Sequence, residues 1–246
     1  MEAAVVIPAY NERRGIERAL DALAGQPGEV IVVVGGDDGT ARVAREHAAA
    51  DRVLDDDREA GPAAARNRGA RAADAEVVCF TDADTVVGPG WVDRHRSHYR
   101  ERSVVGVGGP LRPLDGTHRD DLLFRVLSDW WYRVSWPVGF VQASGNNCSY
   151  RRGPFLAAGG FDESLPFMED TDCSLRMARR GRVLYDRHAW VETSPRRQRE
   201  EGYLGLFARY AAGYARYALG RDPGGGSGYF RDWDGENGSG SETRDD

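Results

Sequence analysis

VVCFTDADTVV, residues 77–87, is an apolar run broken by two aspartates one residue apart. Val77 to Phe80 has no polar position, as a strand covered on both faces requires. Asp82 and Asp84 stand where that strand runs out. Alternation along an extended chain turns both carboxylates to one side and Ala83 to the other. Like charges this close repel, so bulk water, a basic partner or a metal ion must offset them. A turn or helix cap is the structural explanation, since aspartate is common at both.

On either side of this run the chain alternates between two textures. Short apolar runs (AAVVIP, EVIVVVGG, RVLDDD and SVVGVGG) separate helix-compatible stretches (NERRGIERALDALAG, TARVAREHAAA, GPAAARNRGARAA and GWVDRHRSHYRE). The alternation predicts an α/β fold with a mostly parallel sheet flanked by helices. In open parallel sheets ligands bind beyond the carboxyl ends of the strands. Three predicted strand ends carry unusual residues: Pro8 to Glu12 (PAYNE), Gly35 to Thr40 (GGDDGT) and Thr81 to Asp84. All three are expected on one edge of the sheet.

The second half is less regular. DDLLFRVLSDWWYRVSW reads as an aromatic-rich helix, FVQASGNNCSYRR as a strand with polar interruptions, and RVLYDRHAWVETS as one or two strands. GPFLAAGGF, EDTDCSLRMARRG and EGYLGLFARYAAGYARYALG read as helices, the last packed on the domain. Residues 1–220 are expected to form one domain, with 1–110 binding the donor and 111–220 supplying the acceptor side. The glycine, serine and acid of residues 221–246 predict a disordered tail.

Composition excludes some functions. A net charge of −6 argues against a nucleic-acid surface. No lysine occurs, so all 33 basic residues are arginine. GC-rich coding produces that bias, and so does adaptation to a salty cytoplasm, which favours a halophilic archaeal source. Cys79, Cys148 and Cys173 lack the paired spacings of a zinc site, and Cys79 and Cys173 are expected as buried thiols. No apolar run reaches the roughly 18 residues of a membrane-spanning helix. MEAAVVIPAYNE has no basic leader, so a cytoplasmic location is expected.

VVIPAYNE, GPAAARNRGARAADAEVVCFTDADTVV and GGFDESLPFMEDTDCSLRMARRG, taken in that order, resemble the family 2 glycosyltransferases, which share the GT-A fold. The resemblance runs from about residue 4 to residue 197. It implies transfer of a sugar, a hexosyl group being the expectation, from a UDP- or GDP-sugar to an acceptor nucleophile, usually with inversion. The acceptor expected is a glycan or a polyprenyl phosphate. The leaving diphosphate needs a Lewis acid, which Mg²⁺ or Mn²⁺ held by the two aspartates would supply. By the resemblance Asp84 is the direct metal ligand, while Asp82 contacts the ribose or a metal-bound water, with Ala83 between them.

The resemblance also lays Pro8, Ala9, Tyr10 and Asn11 along the nucleoside, with Glu12 opening the first helix; Asn11 alternatively caps that helix. Arg66 would contact base or diphosphate, its plain reading being a solvated helix arginine. GGDDGT departs from the family pattern, leaving Asp38 (or Asp37) as a base contact or a helix cap. Asp170, with Glu169 beside it, becomes the general base, and Asp172 a cap or supporting residue. A carboxylate at its ordinary pKa of about 4 suffices for that role. The helix dipole alone also favours such acids in a first turn. Gly145, Asn146 and Asn147 are candidates for the acceptor or sugar pocket, Arg196 and Arg197 for diphosphate contact, and His188 for a further metal ligand or a structural role. Trp130, Trp131, Tyr132 and Trp136 read as core, or as peripheral contact of the 121–140 segment with the inner face of a membrane.

Three rivals compete. A nucleotidyltransferase needs a glycine-rich basic loop after strand one, where AYNERRG begins with an acid. A dinucleotide-binding oxidoreductase needs G-x-G-x-x-G, where GGDDGT places acids. A sugar-nucleotide-binding protein without catalysis would keep nucleotide binding and lack turnover.

Overall fold

The computed structural model describes residues 1–56, 61–126, 135, 141–165, 167–195 and 202–219. Its first half is strand β1 (Ala3–Tyr10), helix α1 (Arg13–Leu23), β2 (Glu29–Gly35), α2 (Thr40–Glu46), β3 (Arg52–Asp55), α3 (Pro62–Ala72), β4 (Val77–Phe80), β5 (Thr85–Val87) and α4 (Trp91–His98). Then follow β6 (Val104–Gly108), β7 (Leu111–Pro113), α5 (His118–Phe124), β8 (Cys148–Arg151), α6 (Arg152–Ala157), α7 (Glu169–Ala178), β9 (Arg182–Tyr185), β10 (Val191–Thr193) and α8 (Tyr203–Ala218).

A seven-stranded sheet runs in the order β3-β2-β1-β4-β8-β6-β9, and a three-stranded sheet in the order β5-β10-β7. β3, β2, β1 and β4 pair in parallel. β8 lies antiparallel to both its neighbours, β4 and β6, and β9 is parallel to β6. The expected α/β architecture with a mostly parallel sheet is present, with β8 as the reversed strand of the large sheet.

The continuous apolar runs follow from covering on both faces. Val5 and Ile7 enter one core cluster with Ile16 and Leu20 of α1. Ala4 and Val6 enter the other with Ala65 and Ala70 of α3. Burying each such valine or isoleucine stabilises the fold by about 1.5–3 kcal/mol. Phe80, Tyr150, Phe155 and Phe161 pack as one aromatic group, with Phe80 and Phe161 edge-on at 5.1 Å and Tyr150 stacked on Phe155 at 5.4 Å. The three cysteines are buried free thiols.

Two stretches differ from their sequence reading, and a third takes the two-strand form of its reading. VVCFTDADTVV is two strands: β4 ends at Phe80, and β5 belongs to the small sheet. The aspartates therefore sit in the turn between sheets, closed by Thr85 N–H donating to the Asp82 carbonyl at 3.1 Å. Strand alternation does not govern them. Among the described residues of FVQASGNNCSYRR the strand begins at Cys148, after a turn in which Asn147 N–H donates to Ser144 O at 2.9 Å. RVLYDRHAWVETS splits between the two sheets.

α8 packs on the fold as expected. Tyr210 meets Phe167 at 4.9 Å, Tyr214 O–H donates to Gln142 Oε1, and Tyr217 O–H donates to Asp172 Oδ1 at 2.5 Å. Among the described residues, no helix is long and apolar enough to cross a membrane. Trp130, Trp131, Tyr132 and Trp136, Arg196 and Arg197, and the tail from residue 221 lie outside the described residues.

Candidate active site

The carboxyl ends of β2, β1 and β4 lie side by side, with Tyr10 opposite Gly35 and Val6 opposite Phe80. The three unusual strand ends thus share one edge. Pro8 and Tyr10 are half-buried there and Ala9 is buried.

Asn11 takes a left-handed conformation, φ 52°, which asparagine tolerates better than most residues. Its Oδ1 accepts from Asp37 N–H at 3.1 Å and Asp38 N–H at 3.3 Å. Asn11 therefore ties β1 to the β2–α2 loop and does not cap α1, whose capping position is Glu12 without a side-chain cap bond. Asp38 does the capping instead, for two helices. Oδ2 accepts from Arg13 N–H at 3.0 Å, and Oδ1 accepts from Thr40 N–H at 2.9 Å and from the Thr40 hydroxyl. Burial would raise the Asp38 carboxyl, but these donors outweigh it and hold it below its ordinary value.

In the acid turn Ala83 is buried in the core, while Asp82 and Asp84 are half-buried. Gly15 makes the turn possible. A Cβ at that position would lie 2.6 Å from the Ala83 carbonyl oxygen, so only glycine lets the first turn of α1 approach so closely. The Thr85 hydroxyl lies 3.2 Å from Asp84 Oδ1 and 3.1 Å from the Thr193 hydroxyl, which also accepts from Asn146 Nδ2 at 3.3 Å. Asp84 is thereby connected across the small sheet to the 144–147 turn.

Arg66 is 4% exposed and bridges the site. One terminal nitrogen donates to Asp82 Oδ1 at 2.7 Å and the other to Glu169 Oε1 at 3.1 Å. Burial alone would lower its pKa, but the two carboxylates outweigh that and keep it charged. The solvated helix arginine of the plain reading is corrected: α3 turns this position inward over the Phe161 ring, 5.6 Å away. Arg66 Nε and the Thr81 hydroxyl are buried with no hydrogen-bond partner among the described residues. Buried orphan groups are uncommon and unfavourable.

Glu169 and Asp170 open α7 behind Met168, whose φ of 68° is left-handed. A non-glycine residue held there costs about 1–3 kcal/mol and persists only where surrounding packing enforces it. Glu169 is buried and Asp170 half-buried. Asp170 Oδ2 accepts from Gly145 N–H at 3.0 Å and Oδ1 from Thr171 N–H at 2.7 Å. Burial raises both carboxyls above the ordinary range; Asp170 adds to the rise at Glu169, and Arg66 opposes it at both. Asp172 receives Arg176 Nε at 2.7 Å as well as Tyr217.

Gly145 packs against Arg66, where a Cβ would lie 3.0 Å from the guanidinium carbon. Asn146 is half-buried. Asn147 is a correction. It is fully buried, accepts from Trp91 Nε1 at 2.9 Å and donates to the carbonyls of Pro110 at 3.0 Å and Ala189 at 2.9 Å, so it braces the fold and cannot line a pocket. His188 sits exposed in the turn before β10, its Nε2 accepting from Arg187 Nε at 3.0 Å.

Thr85, Thr193 and Tyr217 went unread in the sequence. Their partners lie far along the chain, and no local pattern distinguishes a bridging threonine from a strand threonine. No group of three or more His, Cys, Asp or Glu that could hold a metal occurs among the described residues. The oxygen donors of Asp82 and Asp84 suit a hard divalent cation only if substrate oxygens and water complete its shell.

A family model described as glycosyl transferase family 2 matches residues 4–151. The pre-mycofactocin glycosyltransferase of Mycobacterium tuberculosis is 30% identical over 214 residues, covering 80% of this chain and 43% of its own length. The chain thus spans less than half of that relative. The glucosyl-dolichyl phosphate glucuronosyltransferase of Haloferax volcanii is 25% identical over 249 residues, covering 89% of this chain and 77% of its own length. The mannosyltransferase PcManGT from Pyrobaculum calidifontis, solved in complex with GDP-Man and Mn²⁺, superposes with a TM-score of 0.69 at 23% identity, over 94% of this chain and 67% of that one. This likeness shows the shared GT-A fold.

Proposed function

The chain belongs to glycosyltransferase family 2, and from that premise we propose that it transfers a sugar from a nucleoside-diphosphate donor to an acceptor hydroxyl or lipid phosphate, with inversion. The observation that carries the reading is the bridge through Arg66, which joins the acid turn at the end of β4 to the acid pair opening α7. A donor site and a proton acceptor joined this closely let a donor and an acceptor meet between them.

In this reading Asp84, with Asp82, holds Mg²⁺ or Mn²⁺. When bound, the cation supplies Lewis-acid stabilisation of the leaving diphosphate. Pro8 to Asn11 flank the nucleoside, Asp38 keeps their loop in place through its caps, and Asn146 borders the sugar. Asp170 accepts the acceptor's proton as the new carbon–oxygen bond forms and the bond to the diphosphate breaks, its electron pair leaving with the diphosphate. Gly145 N–H and Thr171 N–H fix the orientation of Asp170. Its raised pKa makes it a stronger base than a solvent-exposed aspartate wherever it is ionised. A lipid phosphate acceptor arrives already ionised and asks less of Asp170. The relative named for glucosyl-dolichyl phosphate favours instead a lipid-linked sugar, whose hydroxyl needs that base, and UDP- and GDP-sugars are both candidate donors.

Thermal unfolding with UDP, GDP and their sugars, in Mn²⁺ or EDTA and at low and molar salt, tests the donor site. A nucleotide at 100 times its Kd adds about 2.7 kcal/mol. Stabilisation by one nucleotide only with metal supports the proposal. A folded protein that no nucleotide stabilises in Mn²⁺ at either salt would sink it.

A further inference from the structure

We propose that Arg66 is a positioning residue that couples the two acid pairs: drawing Asp82 to a divalent cation frees the shared guanidinium to serve Glu169 and Asp170 alone. The inference rests on the donor-site reading and adds regulation to it. Four observations support it. The guanidinium uses separate nitrogens for Asp82 and Glu169, so either bond can break without the other. Its Nε has no partner among the described residues, leaving it a donor to gain by turning. Gly145 donates to Asp170 and leaves its missing Cβ position to the guanidinium, 3.0 Å from the guanidinium carbon, so Arg66 sits directly beside the Asp170 support. Among the described residues the cluster also holds three acids, Asp82, Glu169 and Asp170, against this one buried cation.

The consequence is reciprocal, as any coupling between sites must be. A cation at the acid turn competes with Arg66 for Asp82, and Glu169 competes with Asp82 for Arg66. Neutralising Glu169 then leaves Arg66 wholly to Asp82 and weakens cation binding, although Glu169 is not a ligand. The base gains its full supporting charge only when the donor side is loaded, which would limit misdirected transfer before the donor is in place.

The test is a double-mutant cycle on Mn²⁺ affinity, read by electron paramagnetic resonance of the free ion at mildly alkaline pH, alone and with excess UDP or GDP. Glu169→Gln is expected to weaken Mn²⁺ binding about fivefold or more. In the Arg66→Lys background, where one nitrogen on a shorter reach replaces the two that hold the acids separately, the same change is expected to alter affinity by less than about twofold. Gly145→Ala, which crowds the guanidinium, gives a second uncoupled background should Arg66→Lys fail to fold. Equal weakening by Glu169→Gln in wild type and uncoupled backgrounds would mean charge acting through space and would overturn the proposal, as would no weakening in the wild type. Asp84→Asn separates the two levels. If Mn²⁺ affinity ignores it, the donor-site reading fails and the coupling fails with it; if Asp84→Asn abolishes binding while Glu169→Gln leaves it unchanged, only the coupling fails.

Discussion

The two acid pairs bridged by Arg66 are chemically alike but differ in enclosure, chiefly at Glu169. Asp82 and Asp84 lie in a turn between sheets, the Asp82 side chain 30% exposed, where water or a cation can reach them. Glu169 and Asp170 open a helix; Glu169, its side chain 9% exposed, is sealed against Arg66, and burial raises both carboxyls. An open pair can exchange water for a metal, while an enclosed pair with raised pKa values suits proton transfer. In the proposed function, position relative to the sheet, and not residue type, divides the two tasks.

The largest expected effect tests the proton-transfer side. Asp170→Asn should lower turnover about 10²- to 10⁴-fold, read as nucleoside diphosphate released from donor sugars. Its metal-dependent stabilisation by nucleotide should be unchanged, and loss of that stabilisation would erase the division between the pairs. On the other side, Asp84→Asn should remove most of the roughly 2.7 kcal/mol that saturating nucleotide and Mn²⁺ add in thermal unfolding. A smaller effect sits between the pairs. Gly145→Ala places a methyl against the Arg66 guanidinium and should cost about 1–3 kcal/mol in denaturant unfolding.

The smallest effect is on pH dependence. The folded Glu169 carboxyl is raised to about 7, so the folded chain holds more protons than the unfolded one between the ordinary carboxylate range and neutrality. Stability contributed by the protonated form is present at low pH and lost as pH rises through that window. Thermal stability should therefore decline on going from mildly acid to neutral pH, and Glu169→Gln should flatten the decline. An unchanged slope would show that Glu169 is no more enclosed than Asp82. Activity should move the other way, rising with pH as Asp170 ionises.

Much of this was legible from short-range pattern. Val5 to Ile7 and Ile31 to Val34 read as strands covered on both faces because each residue had to be apolar, and α1, α3 and α7 announced themselves by composition. The acids at 82 and 84 stood out because they end a run with no polar position, and those at 169 and 170 through the family resemblance. What stayed hidden depends on partners far along the chain. Arg66 and Glu169 are 103 positions apart, so a buried bridge looked like a solvated arginine. Asn147 looked like pocket chemistry because its carbonyl partners at 110 and 189 leave no mark in SGNNC. Three-residue strands such as β5 and β10 are too short to show a period, so the passage of the acid turn from one sheet to the other became visible only in the fold.

The most direct test is an anomalous-difference map from crystals grown with Mn²⁺ and UDP or GDP. A manganese peak at coordination distance from the Asp84 carboxylate, with diphosphate oxygens in the same shell and the nucleoside along Pro8 to Asn11, is the predicted result. A well-occupied nucleotide and metal bound anywhere else, with Asp84 free of both, would contradict the account.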